Sequence, residues 1–251
     1  MYLQITTKCN MTCDHCCYSC NKNGKHMDYH AVWHAIDFAS KYDYQGISIG
    51  GGEPTLHPRF FDILRRCLDT FDYVWMATNG SKTKTMWRLA SIIEDTDYEN
   101  FPDDEYGIED IANPDDKLTV ALSTDPFHDS IDSKIREFWA SRARKNYHFE
   151  LRDVSGRVVN AGRAKRTGVG DQPGNDYGNC PCNALFIRPD GLIKRCGCMN
   201  APIIGSIYKS FDPTWESWME ENDFCNSGCY NTTRMDISDS GSIETTQEAR
   251  P

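Results

Sequence analysis

The chain has 251 residues, a formal net charge of −10 and 39% hydrophobic residues. This length suits one α/β domain with a small appendage, or a single barrel-like domain. The acidic balance disfavours generic binding to a polyanion, and no apolar run approaches the ~20 residues that cross a bilayer. Because the N-terminus also lacks the basic and apolar regions of a signal peptide, we expect a cytoplasmic protein without membrane association.

Short apolar runs typical of β-strands alternate with helical patterns. The predicted strands are Tyr2–Thr7, Gly46–Ile49, Tyr73–Thr78, Leu118–Thr124 and Tyr147–Val154, with Val158–Asn160 as a candidate start of a sixth. The predicted helices are Asp28–Tyr42, Pro58–Phe71, Lys82–Ile93 and Ser130–Ser141. Strict alternation of this kind predicts a parallel sheet with right-handed crossovers.

The chain divides into three predicted parts. Residues 1–167 form the α/β core, residues 168–230 form a cysteine-rich extension, and the polar residues 231–251 are predicted to be disordered. Within the core, Glu94–Asp116 holds eleven acidic residues among twenty-three. This stretch is most simply a solvated insertion, with docking of a cationic peptide as the alternative.

Cysteine usage indicates metal binding. Of the twelve cysteines, five lie between positions 9 and 20 and six between positions 180 and 229. In a cytoplasmic chain such groups favour metal sites over disulfides. The remaining one, Cys67, lies in an amphipathic helical pattern and is predicted to be a buried thiol.

Distinctive motifs follow four predicted strands. They are the cysteine loop after the first strand, Gly50-Gly51-Gly52-Glu53 after the second, Thr78-Asn79-Gly80 after the third, and Ser123-Thr124-Asp125 at the end of the fourth. Parallel sheets place active sites at the carboxyl ends of their strands. The four motifs are therefore expected to form one site.

The cysteine loop offers three thiolates within eight residues, at Cys9, Cys13 and Cys16. Three thiolates in a tight loop can hold a cubane iron–sulfur cluster and leave its fourth iron open to a small molecule. Zinc is the alternative, because His15 or Cys17 offers a closing fourth ligand. The strand-end position and the glycine run that follows favour the cluster.

The spacing Cys9-x3-Cys13-x2-Cys16 and the later Gly51-Gly52-Glu53 resemble the radical S-adenosylmethionine (radical SAM) enzymes, over roughly the first 165 residues. The resemblance implies an α/β fold, a partial (βα)6 TIM-type barrel with the cysteine-rich extension appended. It also implies a [4Fe–4S] cluster whose open iron binds SAM. An electron from a flavodoxin- or ferredoxin-type donor then cleaves SAM to methionine and a 5′-deoxyadenosyl radical.

The same resemblance provides candidate SAM contacts. Gly51 and Gly52 let the backbone approach a ligand closely, and Glu53 offers a carboxylate to the methionine ammonium. His15 stands where the family usually has an aromatic residue. Three further candidates lie where the family contacts SAM, but each could equally be a capping or turn residue: Asn79, Ser123 and Asp125.

Gly162-Arg163-Ala164 resembles a motif found after the fifth strand in several radical SAM subfamilies. Its arginine is a candidate for binding a carboxylate or phosphate, and a turn with solvated charges is the alternative. The C-terminal cysteines resemble the auxiliary-cluster extensions called twitch and SPASM, with a hairpin turn at Pro189–Gly191. The favoured ligands of a second [4Fe–4S] cluster are Cys180, Cys196, Cys225 and Cys229, with Cys182 as a rival for the first; zinc is the alternative there too.

These features predict a radical SAM enzyme of oxidoreductase or isomerase type, acting on a peptide, amino-acid-type or other small-molecule substrate. One alternative is a radical SAM enzyme that modifies a nucleotide or an amino-acid-modified DNA base, and another is a zinc-binding module without catalysis. Surplus thiols are candidates for returning a hydrogen atom to a substrate radical: Cys17, Cys20, Cys182 and Cys198.

Overall fold

The computed structural model describes residues 1–95, 116–156, 158, 161–170, 185–194, 197 and 203–209. Eight strands of this part of the chain form one sheet in the order β5-β4-β3-β2-β1-β6-β7-β8. Their bounds are β1 Tyr2–Thr6, β2 Gly46–Gly51, β3 Tyr73–Thr78, β4 Leu118–Ser123, β5 Phe149–Arg152, β6 Phe186–Ile187, β7 Leu192–Lys194 and β8 Ile203–Ser206.

Strands β1 to β6 pair in parallel, whereas β7 and β8 pair antiparallel. The end strands β5 and β8 do not pair with each other, so the sheet is open, which confirms the predicted α/β class with a partial barrel. Of the sixth strand expected to begin at Val158–Asn160, the structure describes Val158 alone, which belongs to no strand, and the other two residues lie outside the described part of the chain. The sixth parallel strand of the described sheet is β6, where Tyr2 pairs with Phe186.

Helices connect the parallel strands. Their bounds are α1 Tyr29–Lys41, α2 Phe60–Thr70, α3 Thr83–Glu94, α4 Ser133–Arg142 and α5 Gly162–Thr167, with a 3₁₀ turn at Pro54–Leu56. Two begin at aspartate caps: Asp28 accepts from two N–H groups of α1, and Asp132 accepts from one of α4, which satisfies donors that a helix start leaves free. None of the described helices is long and apolar enough to cross a membrane.

Alternation along the strands divides the sheet into two faces. One face packs its aliphatic side chains against α1 to α4 and forms the core, with Leu3, Ile5, Ile47, Ile49, Val74, Met76, Val120 and Leu122 all fully buried. Cys67 of α2 is also in this core, and burial raises the pKa of its thiol. The opposite face, here called the polar face, carries Tyr2, Gln4, Ser48, Trp75, Thr119, Glu150 and Arg152.

Candidate active site

The cysteine loop, residues 8–26, leaves the carboxyl end of β1 and folds back along it. Cys9 N–H donates to the carbonyl of Asn21 at 2.9 Å, and Met27 N–H donates to that of Ile5 at 2.8 Å. Because both ends of the loop are bonded beside one strand, the cysteines within it are held at the sheet edge.

The three thiols predicted to bind a cluster lie close enough to influence one another's ionisation. Burial raises the pKa of Cys9 to about 11. Burial, with the charges of Cys9 and Cys16, raises the pKa of Cys13 to about 12. Cys16 differs, because hydrogen bonds from Cys20 and from the Tyr18 backbone hold its pKa below the ordinary value. Neighbouring thiolates that disfavour one another fit a cationic metal centre, which binds thiols in their deprotonated form.

The glycine run after β2 packs against β1 and the cysteine loop. A Cβ at Gly51, where φ is +145°, would lie 2.1 Å from the Thr6 carbonyl oxygen, and one at Gly52 would lie 2.2 Å from that of Lys8. Gly52 N–H donates to Thr6 at 2.8 Å, and Glu53 N–H donates to Lys8 at 2.9 Å. The close approach predicted toward a ligand is, in the structure, an approach to the cysteine loop.

Glu53 is 1% exposed, and protein donors occupy both oxygens of its carboxylate. Oε1 accepts from Thr55 N–H at 3.2 Å and from the hydroxyls of Thr55 and Thr78, both at 2.7 Å. Oε2 accepts from Asn79 N–H at 2.7 Å. Burial raises the pKa of Glu53, and these hydrogen bonds oppose the rise. The carboxylate thus joins the loop after β2 to the end of β3, a role that differs from the predicted contact with a methionine ammonium.

Asn79 connects the end of β3 to the cysteine loop. Its Nδ2 donates to Asn10 Oδ1 at 3.0 Å and lies 3.9 Å from Cys9 Sγ. Its Oδ1 accepts from Ser81 N–H at 3.0 Å. The side chain therefore has the turn role that was one of its two interpretations, and it also reaches a candidate cluster ligand.

Four side chains, here called the histidine group, meet where β4 ends beside the cysteine loop: Asp125, Phe127, His128 and His15. The Nδ1 of His128 lies 2.7 Å from Asp125 Oδ1, and the Nδ1 of His15 lies 3.9 Å from the same oxygen. The His15 ring centroid lies 4.8 Å from that of Phe127 and 5.0 Å from that of His128. Sequence reasoning selected His15 and Asp125 but missed the other two, although His128 stands three residues after Asp125.

Two buried atoms of the histidine group have no hydrogen-bond partner among the described residues, Asp125 Oδ2 and His15 Nδ1. Such atoms are rare in folded proteins and call for a ligand or water. Burial raises the pKa of Asp125, but the hydrogen bond and charge of His128 and the charge of His15 hold it below its ordinary value. Burial lowers the pKa of His15. The group therefore suits a ligand that donates a hydrogen bond to an ionised carboxylate.

The polar face carries both signs of charge next to the histidine group. Ser123, which is buried, pairs in register with Arg152 of β5. Burial raises the pKa of Tyr2 and lowers that of His15, and the positive charge of Arg152 acts to lower both. Glu150 accepts a hydrogen bond from Trp75 Nε1 at 3.0 Å.

Arg163, the second residue of α5, supports the cysteine loop. Its Nη1 donates to the carbonyl of Cys13 at 2.9 Å, and its Nη2 donates to that of Cys20. Its backbone N–H donates to Cys16 at 2.9 Å. Gly162 makes this possible, since a Cβ there would lie 2.2 Å from the Cys17 carbonyl oxygen. Neither interpretation of Arg163 from the sequence foresaw this role, because backbone carbonyls carry no sequence signal.

A second metal arrangement shares one thiol with the first. The ligand atoms of Cys13, His15 and His128 all lie within 4.8 Å of one another. One thiolate and two imidazoles suit zinc, so the zinc alternative based on His15 gains His128 as a further ligand.

The cysteines predicted for a second site lie outside the described residues: Cys180, Cys182, Cys196, Cys198, Cys225 and Cys229. The hairpin predicted at Pro189–Gly191 is present, since β6 and β7 pair on either side of it. Its Phe186 ring lies 4.9 Å from that of Tyr2 and 5.5 Å from that of Tyr18. The hairpin therefore packs against the cysteine loop.

A family model described as the radical SAM superfamily matches residues 3–149, which is more than half of the chain. The chain therefore belongs to the radical SAM superfamily. The family implies a [4Fe–4S] cluster and SAM, and the thiol set of the cysteine loop fits such a cluster.

Curated relatives match a shorter stretch. The chain is 36% identical over 84 residues to the tungsten-containing aldehyde ferredoxin oxidoreductase cofactor-modifying protein of Pyrococcus furiosus, over 32% of this chain and 24% of that protein. It is 32% identical over 84 residues to a probable GTP 3′,8-cyclase of Methanosarcina mazei, over 31% of this chain and 25% of that protein. The matched part is thus about a quarter of the length of these relatives.

Among solved structures, native anSMEcpe with bound AdoMet matches with a TM-score of 0.51 at 15% identity. The match covers 90% of this chain and 81% of that chain. At this identity the likeness concerns the fold, and it agrees with the open, partial barrel described above.

Proposed function

We propose that this member of the radical SAM superfamily uses SAM to remove a hydrogen atom from a peptide or amino-acid-type substrate. Cys9, Cys13 and Cys16 would hold the [4Fe–4S] cluster and leave one iron for SAM. When bound, the cluster supplies the electron that converts SAM into methionine and a 5′-deoxyadenosyl radical. The observation that carries the proposal is the set of three neighbouring thiols that the cysteine loop holds at the sheet edge, beside the glycine run.

The residues around the thiols would orient SAM and exclude water. Asp125 Oδ2 is a buried acceptor that a hydroxyl of SAM would satisfy. The rings of His15 and Phe127, 4.8 Å apart, offer faces for stacking with an aromatic base. Glu53 and Arg163 would act indirectly, because they fix the loops on which the binding groups stand.

The charges on the polar face support an amino-acid-type substrate. Glu150 and Arg152 are two residues apart on β5 and therefore point to the same side of the sheet. One anion and one cation at that spacing match the ammonium and carboxylate of an amino acid, and arginine binds carboxylates through paired hydrogen bonds.

A nucleotide substrate is the second candidate. Two observations favour it: the similarity to proteins described as probable GTP 3′,8-cyclases, and the Arg152 cation, which suits a phosphate as well as a carboxylate. An amino-acid-modified DNA base would combine both chemistries. The net charge of −10 weighs against a bound duplex.

The test is anaerobic reconstitution followed by addition of dithionite and SAM. The expected product is 5′-deoxyadenosine, and its absence in protein that holds a full cluster would contradict the proposal. Pools of peptides, amino acids and nucleotides are then compared for their stimulation of turnover. Deuterium transfer from a labelled pool member into 5′-deoxyadenosine identifies the substrate class, and a flavodoxin or ferredoxin in place of dithionite tests the proposed electron donor.

The C-terminal cysteines are proposed to bind a second [4Fe–4S] cluster, with zinc as the alternative. A variant with Cys9, Cys13 and Cys16 all replaced by Ala should then keep about four irons, against about eight in the wild type. Iron, sulfide and zinc are measured in both proteins. One zinc without iron in the variant would make the second site structural.

A further inference from the structure

The cysteine loop and α5 carry a concentration of positive charge that runs against the balance of the chain. The whole sequence has 27 lysines and arginines against 37 acidic residues. These two segments, residues 8–26 and 162–167, hold one anion, Asp14, and six cations: Lys8, Lys22, Lys25, Arg163, Lys165 and Arg166. The surface beside the candidate cluster ligands is therefore positive on an acidic protein.

Two of the exposed cations lie on a turn that is fixed against β1. Lys22 and Lys25, both exposed, flank a turn in which Gly24 N–H donates to the Asn21 carbonyl at 3.0 Å. A Cβ at Gly24 would lie 2.1 Å from the Thr7 carbonyl oxygen. Thr7 N–H in turn donates to the Lys25 carbonyl at 2.8 Å. The backbone of this turn is therefore held in place while both lysine side chains remain in solvent.

Two further exposed cations, Lys165 and Arg166, lie on α5, which packs across the same loop. Arg166 Nη2 donates to Ser19 Oγ at 3.2 Å, and the Ser19 carbonyl accepts from Asn21 Nδ2 at 3.3 Å. Asn21 directly precedes Lys22, so short contacts connect the two pairs of cations. Together they form one surface, here called the basic patch: Lys22, Lys25, Lys165 and Arg166.

The charges of the basic patch are not neutralised by the part of the chain that the structure describes. Within that part, no carboxylate lies at ion-pair distance from any of the four cations. Four arginines elsewhere do have such partners: Arg59 pairs with Asp62, Arg66 with Asp37, Arg142 with Glu94 and Arg188 with Asp190. Unpaired cations of one sign produce a local field that attracts a negatively charged surface.

The basic patch lies next to the backbone that holds the candidate cluster ligands. Cys9 N–H donates to the carbonyl of Asn21, the residue before Lys22, at 2.9 Å. On the other side, Arg163 N–H of α5 donates to the Cys16 carbonyl at 2.9 Å. A partner that covers the patch therefore contacts the segments that fix two of the three thiols. Electron-transfer complexes bury small areas, so a surface of four side chains is of a suitable size.

We propose that the basic patch is the docking surface of a small acidic protein that donates single electrons. The proposal rests on the proposed function, because the donor reduces the cluster that Cys9, Cys13 and Cys16 would hold. The donor loses one electron and the cluster gains one, and no bond forms or breaks in this step. Since the rest of this chain is acidic, it repels such a donor elsewhere, and the patch fixes the donor's orientation.

Nucleic acid is the other anionic partner to which a basic patch could bind. A polyanion that extends beyond the patch meets the acidic remainder of the chain and is repelled there. A compact donor stays on the patch, and at physiological salt charges beyond about 8 Å are largely screened from it. The position of the patch beside the thiols is explained by an electron donor and has no explanation in nucleic-acid binding.

The first test measures binding of an oxidised acidic ferredoxin to the reconstituted protein by calorimetry, at about 50 mM and about 500 mM salt. At low salt Lys22→Glu/Lys25→Glu should weaken binding about tenfold, and Lys165→Glu should weaken it less. Lys22→Arg/Lys25→Arg keeps the charge and should bind as the wild type does. The matched control is Arg144→Glu/Lys145→Glu, since both residues are exposed and precede β5 at the opposite edge of the sheet.

The second test follows reduction of the cluster by its absorbance. Reduced ferredoxin should reduce Lys22→Glu/Lys25→Glu more slowly than the wild type. Photoreduced deazaflavin, a small uncharged donor, should reduce both proteins at the same rate, because it needs no docking surface.

Unchanged ferredoxin affinity in both patch variants would overturn the proposal, as would an equal loss of affinity in the Arg144→Glu/Lys145→Glu control. Binding of RNA or DNA that is lost in the patch variants while ferredoxin binding is retained would identify a nucleic-acid surface instead. A wild type that forms no 5′-deoxyadenosine with deazaflavin would defeat the proposed function itself. Formation of that product together with unaltered ferredoxin binding by the variants would defeat only the docking surface.

Discussion

The cysteine loop with its glycine run and the histidine group occupy the same edge of the sheet but are built differently. The first is held by backbone hydrogen bonds and by glycines that leave no room for a methyl group. The second consists of charged and aromatic side chains, two of whose buried polar atoms have no partner in the described part of the chain. In the first region backbone groups bond to other backbone groups and fix the positions of the thiols, whereas in the second region side-chain atoms are left to bind a ligand.

This difference indicates that the cysteine loop and glycine run support the site, whereas the histidine group binds the ligand. A cluster needs its ligands at fixed positions. Backbone hydrogen bonds provide this because a loop that is already ordered loses little conformational entropy when the cluster binds. A ligand such as SAM needs acceptors that are free until it arrives, and such atoms cost stability when buried. Substitutions that change shape or break a hydrogen bond should therefore lower stability in the first region, and substitutions that remove charge should weaken ligand binding in the second.

The largest effect is expected from loss of a cluster ligand. In Cys13→Ala, formation of 5′-deoxyadenosine should be abolished, because one iron loses its thiolate. The measurement is product by liquid chromatography in reconstituted protein. Asn23→Ala, a change on the exposed side of the same loop, should retain the product. Robust cleavage of SAM by the Cys13 variant would show that the thiol triplet is not the cluster site.

A single methyl group at Gly52 should be the next most damaging change. Its Cβ would lie 2.2 Å from the Lys8 carbonyl oxygen, which is backbone and cannot move away cheaply. We expect Gly52→Ala to lower the free energy of unfolding by about 3 kcal/mol, at the upper end for overpacking. Gly156→Ala is the matched control, since no atom lies within 4 Å of its added Cβ. Equal chemical denaturation curves for the two variants would show that the loop adapts.

The sequence predicted the sheet and the strand-end cluster of motifs well, because strand periodicity and cysteine spacing are local signals. It could not predict that Phe186 pairs beside Tyr2, since strand neighbours far apart in the chain share no local pattern. The sequence therefore predicts a sixth strand at Val158–Asn160, directly after the fifth, and does not point to Phe186.

Within the site, residue identity was easier to predict than residue role. Glu53 and Arg163 were both selected as ligand contacts, but the structure directs them to protein groups, the threonine hydroxyls and the carbonyls of Cys13 and Cys20. Every residue has a backbone carbonyl acceptor, so no sequence pattern predicts which carbonyl an arginine will bind. His128 was missed because a lone histidine after a turn has many uses.

Glu53→Gln tests the supporting role of Glu53 against direct ligand binding. The amide cannot accept from Asn79 N–H and from the Thr55 and Thr78 hydroxyls together, so a buried donor loses its partner. The expected loss is about 2 kcal/mol in unfolding free energy, within the range for hydrogen bonds to charged groups. Glu137→Gln on the exposed side of α4 should have no effect. Weaker SAM binding at unchanged stability would instead support contact with the methionine ammonium.

Asp125→Asn in the histidine group should weaken SAM binding more than it lowers stability, whereas Glu53→Gln should mainly lower stability. The substitution keeps the shape but removes the charge that His128 pairs with at 2.7 Å and that a ligand hydroxyl would meet. We expect SAM affinity to fall about tenfold, or about 1.4 kcal/mol, with a smaller change in stability. Equilibrium binding to the reconstituted protein measures this, and Asp129→Asn, an exposed neighbour, is the control. A large stability loss with unchanged affinity would place Asp125 among the supporting residues.

The smallest expected effect comes from His57, which bonds the segment after the glycine run to the end of the cysteine loop. Its Nε2 lies 3.0 Å from the Met27 carbonyl oxygen, so this nitrogen carries the proton, and its Nδ1 accepts from Arg59 N–H at 3.1 Å. Both nitrogens are thus satisfied in the neutral ring. Burial lowers the pKa of His57 below its ordinary value of 6.5, and although the bond to Met27 favours the charged ring, the lowering prevails.

A histidine whose pKa is lower in the folded state contributes stability above its unfolded pKa and loses it as the pH falls. Protonation would place a hydrogen on Nδ1 against the Arg59 N–H, which is the physical reason for the loss. Between about pH 7.5 and about pH 5.5, the unfolding free energy of the wild type should fall by about 1 kcal/mol more than that of His57→Gln. His30→Gln, exposed at the start of α1, should retain the wild-type slope. If the slopes of the wild type and His57→Gln coincide in urea denaturation across this window, the neutral ring does not hold these two loops together.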